Sequence, residues 1–225
     1  MKIGHHEIKA AIFDVDGTIL DSMPYWISAA DEYLDRLNIP HAEGIGQTFL
    51  SMNMEEGAEY IRQKYLPDMS MRQLLGGIVD VMTEAYTYKV QPKPGAIEFM
   101  RTLRDNGIPI VIATATDRRM LQAGLDRLGI SELIQTILTC SECQTSKSKP
   151  DIFLRAAELL GTQSNETVVF EDALYAVTTA VNAGFVVVAM HDAASVHNAD
   201  QIENIAAYYI EDFAQIADLE QKEIQ

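Results

Sequence analysis

Two aspartates stand one residue apart at the end of the first apolar run, Ala10-Ala11-Ile12-Phe13-Asp14-Val15-Asp16-Gly17-Thr18. A strand that delivers two carboxylates and a glycine turn at its C-terminal tip builds a charged site. Neighbouring carboxylates raise each other's pKa unless a cation holds them. A hard divalent ion such as Mg2+ suits the task, because it takes oxygen ligands and leaves positions for water and phosphate oxygens. The same letters also fit a polar turn, with Asp for local hydrogen bonds and Gly for positive φ. Partners from elsewhere in the chain must decide between the two.

Three later segments supply partners. Thr114-Ala115-Thr116-Asp117 follows the apolar run Ile110-Val111-Ile112-Ala113 and precedes a helix. Hydroxyls and free N–H groups there suit a phosphate, and the same residues also suit an ordinary helix cap. Ser146-Lys147-Ser148-Lys149-Pro150-Asp151 offers a lysine just before another helix. It can neutralise a phosphate together with a carboxylate, or serve as a solvated loop. Val168-Val169-Phe170-Glu171-Asp172 ends an apolar strand on two acids. Ionised carboxylates so placed need pairing or a metal. Four carboxylates, hydroxyl donors and a lysine are thus expected on one edge of one sheet, and agreement among independent contexts favours a site over four separate turns.

The elements that must position these groups alternate. Short apolar runs rich in Val and Ile at 10–14, 109–113, 135–138, 167–170 and 186–189 read as strands of a parallel sheet buried on both faces. Amphipathic helices lie between them. One is opened by Pro94-Gly95, with Ile97, Met100 and Leu103 on one face, and stopped at Gly107. One follows Asp117 and presents Leu121, Leu125 and Leu128. One runs from Pro150 to Gly161, and one spans 173–183. The order predicts an α/β fold with a doubly wound parallel sheet, which binds ligands at the carboxyl ends of its strands. Residues 22–89 break the alternation. Trp26, Ala29, Tyr33, Leu34 and Leu37, then Met54, Ala58, Ile61 and Tyr65, then Leu74, Leu75, Ile78, Met82 and Tyr86 recur at helical spacing. They predict a helical domain, 22–89, inserted into a core made of 1–21 and 90–225, with the stiff segment 91–95 as the return hinge.

Composition sets outer bounds. The 225 residues carry a net charge of −16, which argues against nucleic acid as a partner, since a phosphate backbone needs a basic footprint. No apolar run reaches membrane-spanning length, and the first residues lack a signal-peptide pattern. A cytoplasmic protein without a membrane partner is expected. Cys140 and Cys143 form a lone C-x-x-C. No second Cys or His cluster completes a zinc set, and the pair reads as incidental.

The four segments, in their order and spacing, resemble the haloacid dehalogenase superfamily, in its beta-phosphoglucomutase-like branch with a helical cap inserted after the first motif. The resemblance spans nearly the whole chain and implies roles. Asp14 would be the nucleophile that becomes an aspartyl-phosphate. Asp16 would be the general acid/base, with its backbone carbonyl on Mg2+. Thr114 would hydrogen-bond the phosphoryl group, helped by main-chain N–H groups near Asp16, Gly17 and Ala115, with Thr116 alongside. Lys147 would neutralise Asp14 and the phosphate. Asp14, Asp16, Glu171 and Asp172 would form the metal site. The family's lysine segment is Lys-Pro-x-Pro-Asp, and counting back from Pro150-Asp151 selects Lys147 over Lys149.

Asp16 implies phosphomonoester chemistry, because dehalogenases of the superfamily lack that second aspartate and phosphonate-cleaving members replace it. Beta-phosphoglucomutase carries a histidine twelve residues after its nucleophile, where this chain has Trp26. It also carries a phosphate-gripping arginine, which residues 47–54 do not offer. The resemblance therefore implies an Mg2+-dependent phosphatase acting on a small phosphorylated metabolite. The alternatives are a sugar phosphomutase and a catalytically weak binding protein of the same fold. Tyr25, Trp26, Phe49, Met52 and Asn53 are the cap residues expected to face the substrate. A monomer or small homo-oligomer is expected.

Overall fold

The computed structural model describes residues 1–49 and 54–219. Its frame is a six-stranded, fully parallel sheet. In chain order the strands are β1 (Lys2–Ile3), β2 (His6–Glu7), β3 (Ala10–Phe13), β4 (Ile110–Thr114), β5 (Thr136–Thr139), β6 (Thr167–Glu171), β7 (Val186–Met190) and β8 (Tyr208–Ile210). β1 and β2 form a small antiparallel hairpin, and the main sheet runs β5-β4-β3-β6-β7-β8. β3 is central because its four residues are apolar and buried on both faces. Ile12 lies opposite Val111 on one side and Val169 on the other. The strand order reverses about β3, so the ends of β3, β4 and β6 face the crevice where such sheets bind ligands.

Side-chain alternation divides the core into two layers. Ile12, Val111, Ala113, Val169 and Val187 pack with Ile152, Phe153, Ala156, Ala176 and Val177 from the helices Asp151–Leu160 and Leu174–Asn182. On the opposite face Phe13 stacks on Phe170 at 4.3 Å between centroids, and Phe99 and Phe213 close the aromatic cluster. Each such pair is worth about 0.5–1.5 kcal/mol beyond the area it buries.

The structure departs from the sequence pattern in particular places. The helix Ala96–Asp105 buries Ala96, Phe99, Met100 and Leu103, while Ile97 is only half-buried. Leu37, expected on an inward face, is 38% exposed, because its helix ends at Arg36 and leaves Leu37 at the cap. Leu128 is half-buried, just past the end of Arg118–Arg127. The hairpin and β8 carry no strand pattern in the sequence. The return segment pairs with the residues that leave the sheet: Asp21 donates to Gln91 at 2.9 Å, Lys93 donates to Ile19 at 2.9 Å, and Leu20 bridges Pro92.

Contacts divide the chain into two compact units. One holds the sheet. The other comprises Ser22–Val90 and Arg119–Gly124. Its helices are Met23–Arg36, Met54–Tyr65 and Met71–Tyr88, with a 3-10 turn at Ile45–Phe49. The last helix starts at Ser70, whose hydroxyl and the Gln73 side chain form a reciprocal cap. Its apolar stripe, Leu74, Ile78, Val81, Met82 and Ala85, is buried. At Gly77 a Cβ would sit 2.1 Å from the Tyr33 ring, so any larger residue there would have to displace that ring. Trp26 donates its indole N–H to the Tyr86 hydroxyl at 2.9 Å within this unit. No helix of the described residues is long and apolar enough to cross a membrane.

Candidate active site

The strand ends bring the chemistry together. Asp14 follows β3 and its N–H donates to the Phe170 carbonyl of β6 at 3.0 Å, which ties the two strand tips. Glu171 ends β6 and Asp172 follows it. Asp14, Glu171 and Asp172 are buried, and one carboxylate oxygen from each lies within 4.8 Å of the others. Lys147 is buried between two of them, donating to Asp14 Oδ1 and, at 2.6 Å, to Glu171 Oε1. Lys149, two residues on, is exposed.

Glu171 is further fixed by its own chain. Its Oε2 accepts the N–H groups of Asp172 at 2.8 Å and Ala173 at 3.0 Å. Asp172 accepts the Thr18 hydroxyl at 3.3 Å on Oδ1 and the Ser195 hydroxyl at 3.2 Å on Oδ2. Gly17 passes against it with φ +77, and a Cβ there would stand 2.6 Å from Asp172 Oδ2. Only glycine combines that dihedral with that approach.

Asp16 occupies different surroundings. It is half-buried, and its Oδ2 accepts the Thr116 hydroxyl at 2.7 Å. Thr116 in turn donates its N–H to Thr114 Oγ1 at 3.1 Å, so the β4 tip and the Asp16 turn are joined through one side chain. Thr114 is fully buried and Ala115 exposed. Asp117 and Arg118 hold this loop to the turn Cys140–Cys143: Ser141 donates to Asp117 at 2.6 Å and Arg118 pairs with Glu142 at 2.8 Å. Cys140 and Cys143 are free and half-buried, and burial pushes the Cys140 thiol up.

The electrostatics are unbalanced. Three buried carboxylates share one ammonium. Burial, then the Glu171 and Asp16 charges, push the Asp14 carboxyl up to about 7 against the opposing pull of Lys147. Burial and the neighbouring acids raise Asp172 well above the ordinary carboxylate range. Burial disfavours the Lys147 ammonium, but Asp14 and Glu171 outweigh it and hold the ammonium above the usual lysine range. An oxygen-only donor set with excess negative charge fits a hard divalent cation.

A carboxyl whose folded pKa exceeds its unfolded value binds more protons in the folded state, so its contribution favours folding as pH falls through the folded pKa. In EDTA the protein is therefore expected to melt higher at pH 5.5 than at pH 8, by a few degrees, since 1 kcal/mol corresponds to roughly 2–4 °C for a chain of this length. Excess Mg2+ should shrink or reverse that difference by stabilising the ionised site. Calorimetry at the two pH values checks it. A metal-free Tm that rises steadily with pH from 5.5 to 8 would contradict the imbalance.

Of the residues singled out in the sequence, Asp14, Asp16, Gly17, Thr114, Ala115, Thr116, Lys147, Glu171 and Asp172 lie at the ends of β3, β4 and β6 or on the loop before Asp151–Leu160. Trp26 belongs to the helical unit, where its polar atom is bonded to Tyr86. Met52 and Asn53 lie outside the described residues. Two further residues belong to the site. Thr18, at the end of the Asp-x-Asp-Gly-Thr run, and Ser195 each donate a hydroxyl to Asp172. Thr18 can be read from that run, and Ser195 carries no local signal.

The ends of the central strands of a fully parallel sheet thus carry a buried acidic cluster and one buried lysine. The family model described as haloacid dehalogenase-like hydrolase matches residues 8–184, and the chain belongs to that family. Among its relatives is the phosphorylated carbohydrates phosphatase of Thermotoga maritima, 23% identical over 177 residues, covering 79% of this chain and 82% of that protein. Hexitol phosphatase A of Escherichia coli is 26% identical over 196 residues, covering 87% of this chain and 88% of that protein. The crystal structure of beta-phosphoglucomutase from Clostridium difficile has a TM-score of 0.67 at 20% identity, covering 96% of this chain and 99% of that one, a likeness of fold.

Proposed function

We propose that this chain is an Mg2+-dependent phosphomonoesterase that transfers a phosphoryl group from a small phosphorylated metabolite to Asp14 and then to water. The observation that carries the reading is the contrast between its two aspartates. Asp14 is buried against Lys147, whereas Asp16 is half-buried and held by Thr116. Two carboxylates in unlike surroundings can take unlike roles. In this reading Asp14 attacks phosphorus. Lys147 neutralises the growing charge. Thr114 and the N–H groups of the 114–116 loop orient the phosphoryl oxygens, and Asp16 protonates the leaving oxygen and then takes a proton from water. Bound among Asp14, Asp172, Glu171 and the Asp16 carbonyl, Mg2+ would supply positive charge to the phosphoryl oxygens.

The relatives named as sugar and polyol phosphatases support a phosphorylated carbohydrate as the first substrate class to examine. We further assign residues 22–89 as the family's cap, which selects the leaving group. A cytoplasmic setting accords with a small phosphorylated substrate. A mutase must hold a second phosphate, and the occupied Trp26 indole offers it no cation.

Phosphate release from a panel of sugar, polyol and organic-acid phosphomonoesters, with and without Mg2+, tests the proposal. Turnover that requires Mg2+ is expected. Silence across the panel, together with conversion of sugar 1-phosphates when a bisphosphate primer is added, would replace it by the mutase. Silence in both assays would leave a binding protein of this fold.

A further inference from the structure

Asp172 carries two hydroxyl contacts that the proposed steps do not use, and both come from loops tied to one lysine. The Ser195 hydroxyl reaches Asp172 Oδ2 at 3.2 Å from the loop after β7. Asp192 shapes that loop. It is 4% exposed, its Oδ1 accepts the Ala194 N–H at 2.9 Å, and the Ser195 N–H donates to its carbonyl at 3.0 Å. Its remaining oxygen, Oδ2, accepts Lys93 Nζ at 2.7 Å, and the same ammonium donates to the His191 carbonyl at 2.9 Å. The Lys93 main chain meanwhile donates to Ile19, next to Thr18, whose hydroxyl reaches the other oxygen of Asp172. Lys93 therefore braces both loops that deliver a hydroxyl to this carboxylate.

A buried ion pair is a poor source of net stability, because desolvation offsets most of its attraction. Lys93 and Asp192 are 11% and 3% exposed at their side chains. What the pair does well is fix one loop conformation out of several. A hydroxyl donating to a carboxylate fixes the orientation of that carboxylate, and groups standing behind metal ligands in this way are worth about 10–100-fold in metal affinity.

We infer that Ser195 is a positioning residue that orients the Asp172 carboxylate toward a divalent cation, and that the Lys93–Asp192 pair is the brace that keeps Ser195 in place. The inference rests on the Mg2+-dependent reading above. It also explains why a lysine sits on the return segment: its ammonium holds a loop and does not reach the reacting groups.

The test is Mn2+ binding by the metal-free protein, read from the loss of the free-ion electron paramagnetic resonance signal. The proteins are wild type, Ser195→Ala, Ser195→Thr, Lys93→Gln and the Lys93→Gln/Ser195→Ala double variant. Ser195→Ala should weaken Mn2+ binding about tenfold, and Ser195→Thr, which keeps the hydroxyl, should restore most of the affinity. Lys93→Gln keeps the main-chain bond to Ile19 and removes only the ammonium that holds the Ser195 loop, so it should weaken binding too, and the double variant should be no weaker than the weaker single, because both substitutions act through the Ser195 hydroxyl. Circular dichroism checks folding, and Lys93→Arg, which keeps the charge and moves its donors, replaces Lys93→Gln if that variant does not fold. Ser195→Ala binding as tightly as wild type overturns the role of Ser195, and losses that add in the double variant overturn the brace. A wild type that binds no Mn2+ overturns the metal reading beneath both, an outcome separate from any variant.

Discussion

Asp14→Asn is expected to abolish phosphate release, by about four orders of magnitude or more, while leaving the fold as stable as wild type in the absence of metal. The rate loss follows from removing the nucleophile, since groups that act as a unit in covalent catalysis cannot be replaced by their neighbours. The stability result follows from the imbalance of charge. Asp14 is ionised only against burial and the repulsion of Glu171 and Asp16. An amide of the same shape removes that repulsion, and Lys147 keeps Glu171 as a partner at 2.6 Å. Melting in EDTA at pH 8 should give a Tm no lower than wild type. A large fall in Tm would mean that Asp14 is structural, and the activity loss would then say nothing about nucleophilic attack. Excess Mg2+ should raise the Tm of wild type more than that of the variant.

Lys147→Met should have the opposite signature, losing both stability and rate. The ammonium is the single cation that contacts both Asp14 and Glu171 among the described residues. Breaking a buried pair by removing one partner costs about 3–5 kcal/mol, or roughly 6–20 °C in Tm at 2–4 °C per kcal/mol. Rate should fall by about 10²–10³-fold, the usual cost of removing one charge-stabilising group. Without the ammonium the Asp14 carboxyl loses its main opposing influence, so its pKa rises further. Less of it is ionised near neutral pH, and the acid limb of the pH–rate profile should move upward. A variant with wild-type Tm and an unmoved acid limb would contradict the arrangement described for Lys147.

What the sequence made legible was set by the physics of the strands. Continuous apolar runs buried on both faces leave no ambiguity about where polar residues begin, so Asp14, Thr114, Glu171 and Asp172 could be assigned to strand ends from their neighbours alone. Lys147 was legible only through its resemblance to the family's Lys-Pro-x-Pro-Asp segment, and its burial between Asp14 and Glu171 distinguishes it from the exposed Lys149. Other features were not local. β8 has three residues, two of them half-buried, and β1 and β2 have two each, too few for periodicity to speak. Phe99 rather than Ile97 faces the core because Ala96, Phe99, Met100 and Leu103 fall at i, i+3, i+4 and i+7 and so share one face of the helix. Ser195 reaches Asp172 only because a loop held by Asp192 and Lys93 carries it across the strand ends. No pattern in the sequence around it announces that contact.

The most direct measurement is to identify the residue that carries the phosphoryl group. Asp16→Asn should be mixed with an aryl phosphate and Mg2+, quenched in acid and digested, and the phosphorylated peptide sequenced by mass spectrometry. An aryl leaving group needs no proton from Asp16, so the first displacement should proceed while the second, lacking its base, stalls. One phosphoryl group on Asp14, labile to hydroxylamine as an acyl phosphate is, is the predicted result. Stoichiometric release of the aryl alcohol with no phosphorylated peptide, or with the label on any other residue, would contradict nucleophilic attack by Asp14.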